Sequence, residues 1–220
     1  MTTDTAAWPV IEVASGVWLA AGGVGEVPVS AHPGDRARAA GLPAWRAREF
    51  LAGRGLLRAL LGRVRASAAG ACVGAAPRGA PRLVGHDGLG VSVAHDGGTV
   101  AAAVAAGRAV GVDVQHPDDR PSRALARRLL GGRLAEFDAL DPADAARELA
   151  WVWTAQESCV KATGEGLAGR PWTVEVPLGA RSGLWRGHRW LSLRDRFTTP
   201  LSCAFTVRTG QPTGPCPPEG

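Results

Sequence analysis

Two short segments, one with strand periodicity and one with helix periodicity, each carry a carboxylate that has to be accommodated. Val110–Gln115 reads VGVDVQ. Its alternation turns Val110, Val112 and Val114 toward a core and brings Asp113 and Gln115 out together on the opposite face. Trp153–Lys161 reads WTAQESCVK within a helical run, and Trp153, Glu157 and Lys161, spaced four apart, share one helix face. A strand carboxylate facing a helix carboxylate, with an ammonium one turn away, suits a hard divalent cation bound to phosphate.

The rest of the chain is read around these two segments. Ser15–Ala21 reads as an opening strand that ends at the Gly22-Gly23 turn. A turn at His32-Pro33-Gly34 leads into a short basic helix over Asp35–Gly41, and a longer helix runs from Ala44 to Leu61, closed by Gly62. The stretch Gly70–Gly90, rich in Gly, Pro and Arg, reads as a loop. Leu89–Ala94, Thr99–Ala106 and Ala109–Gln115 follow as strands separated by glycine turns, which predicts an antiparallel meander. Short helices are expected over Ser122–Leu130 and Arg133–Leu140. A long one, opened by Asp141-Pro142, is expected over Ala143–Ala162. Trp172–Val176, Gly183–Leu193 and Leu201–Val207 read as strands. The order of strand, helix and strands therefore occurs twice. The expectation is an α+β fold of two similar halves related by a pseudo-twofold axis, with antiparallel sheets on long helices. The boundaries expected are 1–107 and 108–209, with 210–220 as a flexible tail and a ligand cleft between the halves.

Composition narrows the function classes. Charged residues make up 20% and hydrophobic residues 45%, which predicts a globular fold rather than disorder. No apolar stretch approaches the roughly 20 residues that span a bilayer, so no membrane partner is expected. The opening MTTDTAAWPV has neither a basic nor an apolar signal region, which predicts a cytoplasmic protein. Cys72, Cys159, Cys203 and Cys216 are scattered without CxxC or Cys/His ligand spacing, so reduced thiols are expected rather than zinc. The net charge of +5 favours an acidic partner or a polyphosphate. Nucleic acid is not the expected partner, because there is no Tyr, there are only four Phe, and the arginines form no single basic block.

Transfer of a phosphate ester needs neutralisation of the charge that develops on phosphate oxygens, and a nucleophile held in line. Asp113 and Glu157 supply two anionic oxygen ligands, and Gln115 a neutral one, directly or through water. Mg²⁺ is the expected ion, since it keeps waters and phosphate oxygens in its shell. Lys161 can contact phosphate or tune Glu157 as a base. Taken singly, the Glu157/Lys161 pair also reads as a surface ion pair, and Asp113 as a solubilising residue at a strand end. His95, after Val91–Ala94 and before Asp96-Gly97-Gly98, reads either as a donor to phosphate or as a turn histidine bonded to backbone.

Together these residues resemble a known family. VSVAHDGG (Val91–Gly98), GVDV (Gly111–Val114) and WTAQESCVKATGEGL (Trp153–Leu167) are similar to the SxSHSxG, GVDxE and W(S/T)xKEAxxKxxGxGL segments of the surfactin-type 4′-phosphopantetheinyl transferases. The resemblance covers roughly residues 32–176. It implies two α+β halves with coenzyme A and Mg²⁺ between them. The implied activity is transfer of 4′-phosphopantetheine from coenzyme A to a serine of an acyl or peptidyl carrier protein, by a monomer, with release of adenosine 3′,5′-bisphosphate. By motif position Asp113 and Glu157 are implied Mg²⁺ ligands and Gln115 a third. Glu157 helps to deprotonate the serine, Lys161 contacts phosphate, and His95, Arg36 and Arg38 hold coenzyme A phosphates. The chain departs from the pattern at Gln115 (often Glu), Gln156 (usually Lys), Asp96 (commonly Ser) and Ala80, where a basic residue is frequent; Arg78 or Arg82 is left to replace it. Polyketide, non-ribosomal peptide, siderophore and fatty-acid carriers all stay open.

Overall fold

The computed structural model describes residues 8–207. The expected tail over Gly210–Gly220, and Cys216 with it, lies outside them. The fold is α+β, with two four-stranded antiparallel sheets, each covered on one face by a long helix. In the first sheet β1 (Val10–Ala14), β2 (Val17–Gly23), β6 (Thr99–Ala106) and β5 (Leu89–Asp96) lie in that order. In the second the order is β7 (Val110–Val114), β10 (Leu201–Thr206), β9 (His188–Ser192) and β8 (Ser182–Trp185). The covering helices are α2 (Ala44–Val64) and α5 (Pro142–Thr163). The same path, strand, long helix, then two strands that return beside the first, is traced by β2-α2-β5-β6 and by β7-α5-β9-β10. That repetition is the expected pair of similar halves.

Three apolar clusters account for the layering. Leu56, Leu57, Leu60 and Leu61 of α2 pack on Val91, Val100 and Val104 of the first sheet. Leu149, Val152 and Ala155 of α5 pack on Trp190 and Ala204 of the second, joined by α3 (Arg123–Leu130) and α4 (Leu134–Asp138). Between the sheets, Ala101, Ala103 and Ala105 of β6 meet the layer formed by Val112, Val114 and Cys203. Methyl-sized side chains let the two sheets approach closely. At 25–30 cal/mol per Å² of buried apolar surface, such cores supply most of the stabilisation that offsets chain entropy.

Several elements differ from the sequence expectation for identifiable reasons. β1 precedes the opening strand and pairs with it across Ser15-Gly16. Gly22 and Gly23 belong to β2 and pair with Val100 and Thr99, so the turn comes later. The short basic helix is α1 (Pro33–Ala39), whose N-cap His32 accepts from Gly34 N. α2 continues through Gly53, Gly55 and Gly62. A Cβ at Gly55 would collide with the Pro28 carbonyl, because the 28–30 segment lies directly on the helix and Ser30 N donates to Leu51 O at 2.9 Å. The expected 70–90 loop holds the hairpin β3 (Val73–Ala75) and β4 (Pro81–Leu83). Gly183–Leu193 is a hairpin, not one strand: Arg186 and Gly187 both have positive φ (45° and 76°), the pairing a two-residue turn needs. Trp172–Val176 forms no strand. Pro171–Thr173 is a 3₁₀ turn, and Trp172 stacks under Arg128, 3.6 Å from the guanidinium to the ring centroid.

The meander breaks after β6. That strand is already paired on both sides, with β2 and β5, so β7 has no edge to join there and opens the second sheet. β5 and β7 are the facing edges of the two sheets and meet through side chains instead of a backbone ladder. Ser92 Oγ accepts from Val112 N at 3.1 Å, and Asp96 Oδ2 from His116 N at 2.7 Å. The first contact satisfies an edge-strand N–H and the second the N–H of His116 just beyond β7.

Candidate active site in the cleft between the halves

β7 is buried along its whole length, and α5 lies directly across it. Gly111 makes this approach feasible, since a Cβ there would collide with the Ser158 carbonyl and sit 2.9 Å from Lys161 Cβ. Two residues on, Asp113 therefore faces the same helix, and Lys161 Nζ donates to its Oδ1 at 2.6 Å. Asp113 is 7% exposed, and burial pushes its carboxyl above the usual range, opposed by the Lys161 ammonium and reinforced by the charge of Asp96. Glu157, one helical turn before Lys161, is also pushed up, by burial and then by the Asp113 charge, with Lys161 opposing. Its Oε1 is buried with no hydrogen-bond partner.

Two carboxyls thus share one ammonium, and one carboxylate oxygen is left without a donor. An unpartnered anionic oxygen beside a second buried carboxylate is the donor set a hard cation requires. Among the described residues no group of three or more His, Cys, Asp or Glu surrounds such a point. A cation held here therefore takes two protein carboxylates and completes its shell with neutral or ligand oxygens, the regime that suits Mg²⁺.

Cavities open at both ends of this α5 face. One, of about 300 Å³, is mainly apolar and is lined by Gln115, His116, Leu125, Leu129, Leu149 and Trp153. The other, of about 230 Å³, is lined by Arg78, Ala80, Ser92, Lys161, Gly164 and Gly166. Trp153 and Lys161 mark the two ends, and Glu157 lies between them.

The structure brings Asp113, Glu157 and Lys161 together and distributes the other candidates around them. Gln115 reaches the first sheet, where its Nε2 donates to Asp96 Oδ2 at 3.1 Å and to His116 O at 3.3 Å. His95 is on the opposite face of β5 from Asp96, with Nδ1 3.3 Å from Glu49 Oε2 of α2. Arg36 and Arg38 are on α1, and Arg38 is close enough to Arg54 for their charges to interact. Asp35 anchors α1 to α2 by accepting from Arg58 Nε at 2.7 Å and from Ser30 Oγ. Gln156 is fully buried and donates to Leu129 O and Val174 O at 3.0 and 2.9 Å, so it ties α3 and the segment after the 171–173 turn to α5 and does not face the cleft. Thr154 is buried too, and its hydroxyl ties α5 to the sheet through Ser202 of β10 at 2.8 Å. Sequence reasoning missed Ser92, whose hydroxyl joins the halves, and the joining role of Asp96. Their alternation with His95 on β5 was the available signal.

The fold and this site bring two carboxyls and an ammonium together in a cleft between two α+β units. Residues 109–200 match the family model of the 4′-phosphopantetheinyl transferase superfamily, a transferase family. The match supports that superfamily. It spans β7, α5, β8 and β9, and leaves the first half and β10 outside it. A comparison with curated proteins gives no match. No helix among the described residues is long and apolar enough to cross a membrane.

Proposed function

We propose that the protein is a surfactin-type 4′-phosphopantetheinyl transferase that converts apo acyl or peptidyl carrier proteins to their holo form with coenzyme A and Mg²⁺. In this reading it works as a cytoplasmic monomer, with halves 1–107 and 108–209 closing on the cofactor. The observation that carries the reading is the buried Asp113 beside the half-buried Glu157, whose Oε1 is buried and orphaned, next to Lys161 in a cleft with a cationic cavity at one end.

Asp113 and Glu157 would hold the Mg²⁺, with Gln115 completing the shell directly or through water; when bound, the ion neutralises charge on the pyrophosphate oxygens. Lys161 donates to a phosphate oxygen and compensates charge that develops during transfer. The carrier serine Oγ attacks the phosphorus next to the pantetheine, and the bond from that phosphorus to the bridging oxygen breaks. Adenosine 3′,5′-bisphosphate leaves with the bridging oxygen. Glu157, made more basic by burial and by Asp113, takes the serine proton. His95, Arg36 and Arg38 hold the nucleotide phosphates, and the apolar cavity beside Trp153 leaves room for the acceptor.

The test is release of adenosine 3′,5′-bisphosphate on mixing with apo carrier protein and coenzyme A. Release in step with holo carrier, and stopped by a chelator, is expected. Hydrolysis of coenzyme A without carrier modification would overturn the assignment.

A further inference from the structure

The hairpin β3–β4 belongs to the first half, yet its tip reaches the end of α5 in the second. A Cβ at Gly164 would be 4.0 Å from Ala80 Cβ, so tip and helix end are neighbours. The tip is built by its own backbone bonds, Ala76 N to Ala80 O and Gly79 N to Ala76 O, both at 2.8 Å. It walls the cavity that holds Lys161, and the two cations on that wall, Arg78 and Lys161, are accompanied by no carboxylate on the lining. Lys161 already shares its charge with Asp113. Arg78 has no acidic partner within ion-pair distance among the described residues. Arg82 differs: it stands on β4 opposite Gly74, points to solvent at 58% side-chain exposure, and faces Asp87 at 3.7 Å. A cavity walled by one guanidinium, one ammonium and a hydroxyl, in which Asp113 offsets the ammonium but no acid faces the guanidinium, is suited to an anion.

We propose that Arg78, and not Arg82, is an anion-binding residue that contacts the pyrophosphate of the ligand; this rests on the coenzyme A reading given above. The pyrophosphate is assigned because Arg78 shares its cavity with Lys161, which sits against Asp113 beside Glu157. The 3′-phosphate belongs to the separate group on α1 and β5. A ligand bound by Arg78 and Lys161 together also joins the two halves, since one cation comes from each.

The test is titration calorimetry of coenzyme A and of dephospho-coenzyme A, which keeps the pyrophosphate and lacks the 3′-phosphate, with wild type, Arg78→Ala, Arg78→Lys and Arg82→Ala in Mg²⁺ buffer. Both positions are exposed, so all variants are expected to fold, and thermal melts check this. Arg78→Ala is expected to weaken both ligands equally, by about tenfold or more, as for loss of a charge-assisted hydrogen bond. Arg78→Lys recovers part of the loss, and Arg82→Ala stays within about twofold of wild type. A loss confined to coenzyme A would overturn the proposal by assigning Arg78 to the 3′-phosphate, as would equal affinities for Arg78→Ala and wild type. Wild type that binds neither ligand would instead overturn the underlying coenzyme A reading.

Discussion

Asp113 and Glu157 share the Lys161 ammonium, and both carboxyls are pushed toward the neutral form by burial. Neighbouring residues set the charge around them. Gln115 contributes an amide where a carboxylate would add a third anion, and that amide faces Asp96. Gln115→Glu should lower the Mg²⁺ concentration for half-maximal transfer, because an added anion favours the cation. Without Mg²⁺ the same variant should melt at a lower temperature than wild type, since two carboxylates would then oppose each other across the join. An unchanged or higher Mg²⁺ requirement would show that residue 115 points away from the ion. Gln156 makes the opposite case: a departure from the family pattern with no consequence for the cleft, because its amide bonds two backbone carbonyls from inside the core.

At the scale of elements, the site depends on how closely β7 lies on α5. Gly111→Ala should destabilise the protein by about 3 kcal/mol, because backbone and not a flexible side chain meets the new methyl. It should also displace Asp113 from Lys161, so transfer falls more than the folded fraction does. Near-wild-type melting would contradict the packing described. α1 is fixed differently, by Asp35 on Arg58. Burial raises that carboxyl, but the hydrogen bonds and charges of Arg58 outweigh it and the net direction is down. A carboxyl lowered in the folded state contributes stability that is complete above its unfolded value near 4 and is lost as pH falls through the folded value. Asp35→Asn should therefore be less stable than wild type at pH 7, with the gap closing at more acid pH in denaturant titrations; a constant gap would contradict the account. The long helices, the strand that carries Asp113 and the Asp113/Glu157/Lys161 grouping were legible because period and spacing are local properties. The partner of β7 was not legible. The strand alternation of 110–114 is the same whether it extends the first sheet or opens a second, and the choice depends on β2 having already occupied β6. The β8–β9 turn was missed because an Arg-Gly pair at positive φ lies inside a run that otherwise reads as extended.

At the scale of the molecule, the two halves meet through the apolar layer between their sheets and along β5 and β7, and the cleft lies where β5 and β7 face each other. Ser92 and Asp96 bridge those edges, Arg78 and Lys161 wall one end, and the carboxylate pair sits between this end and the apolar cavity. Neither half contains the whole arrangement, so the proposed chemistry needs both. The most direct test is the intact mass of an apo carrier protein incubated with coenzyme A and saturating Mg²⁺, followed over time with wild type, Asp113→Ala and Glu157→Ala. Wild type should add one phosphopantetheinyl group to a single serine. Each variant should be slower by about a hundredfold or more, the usual cost of removing a key electrostatic group, while keeping a folded circular dichroism spectrum. A carrier that gains no mass with wild type, or gains it at the wild-type rate with either variant, would contradict the account.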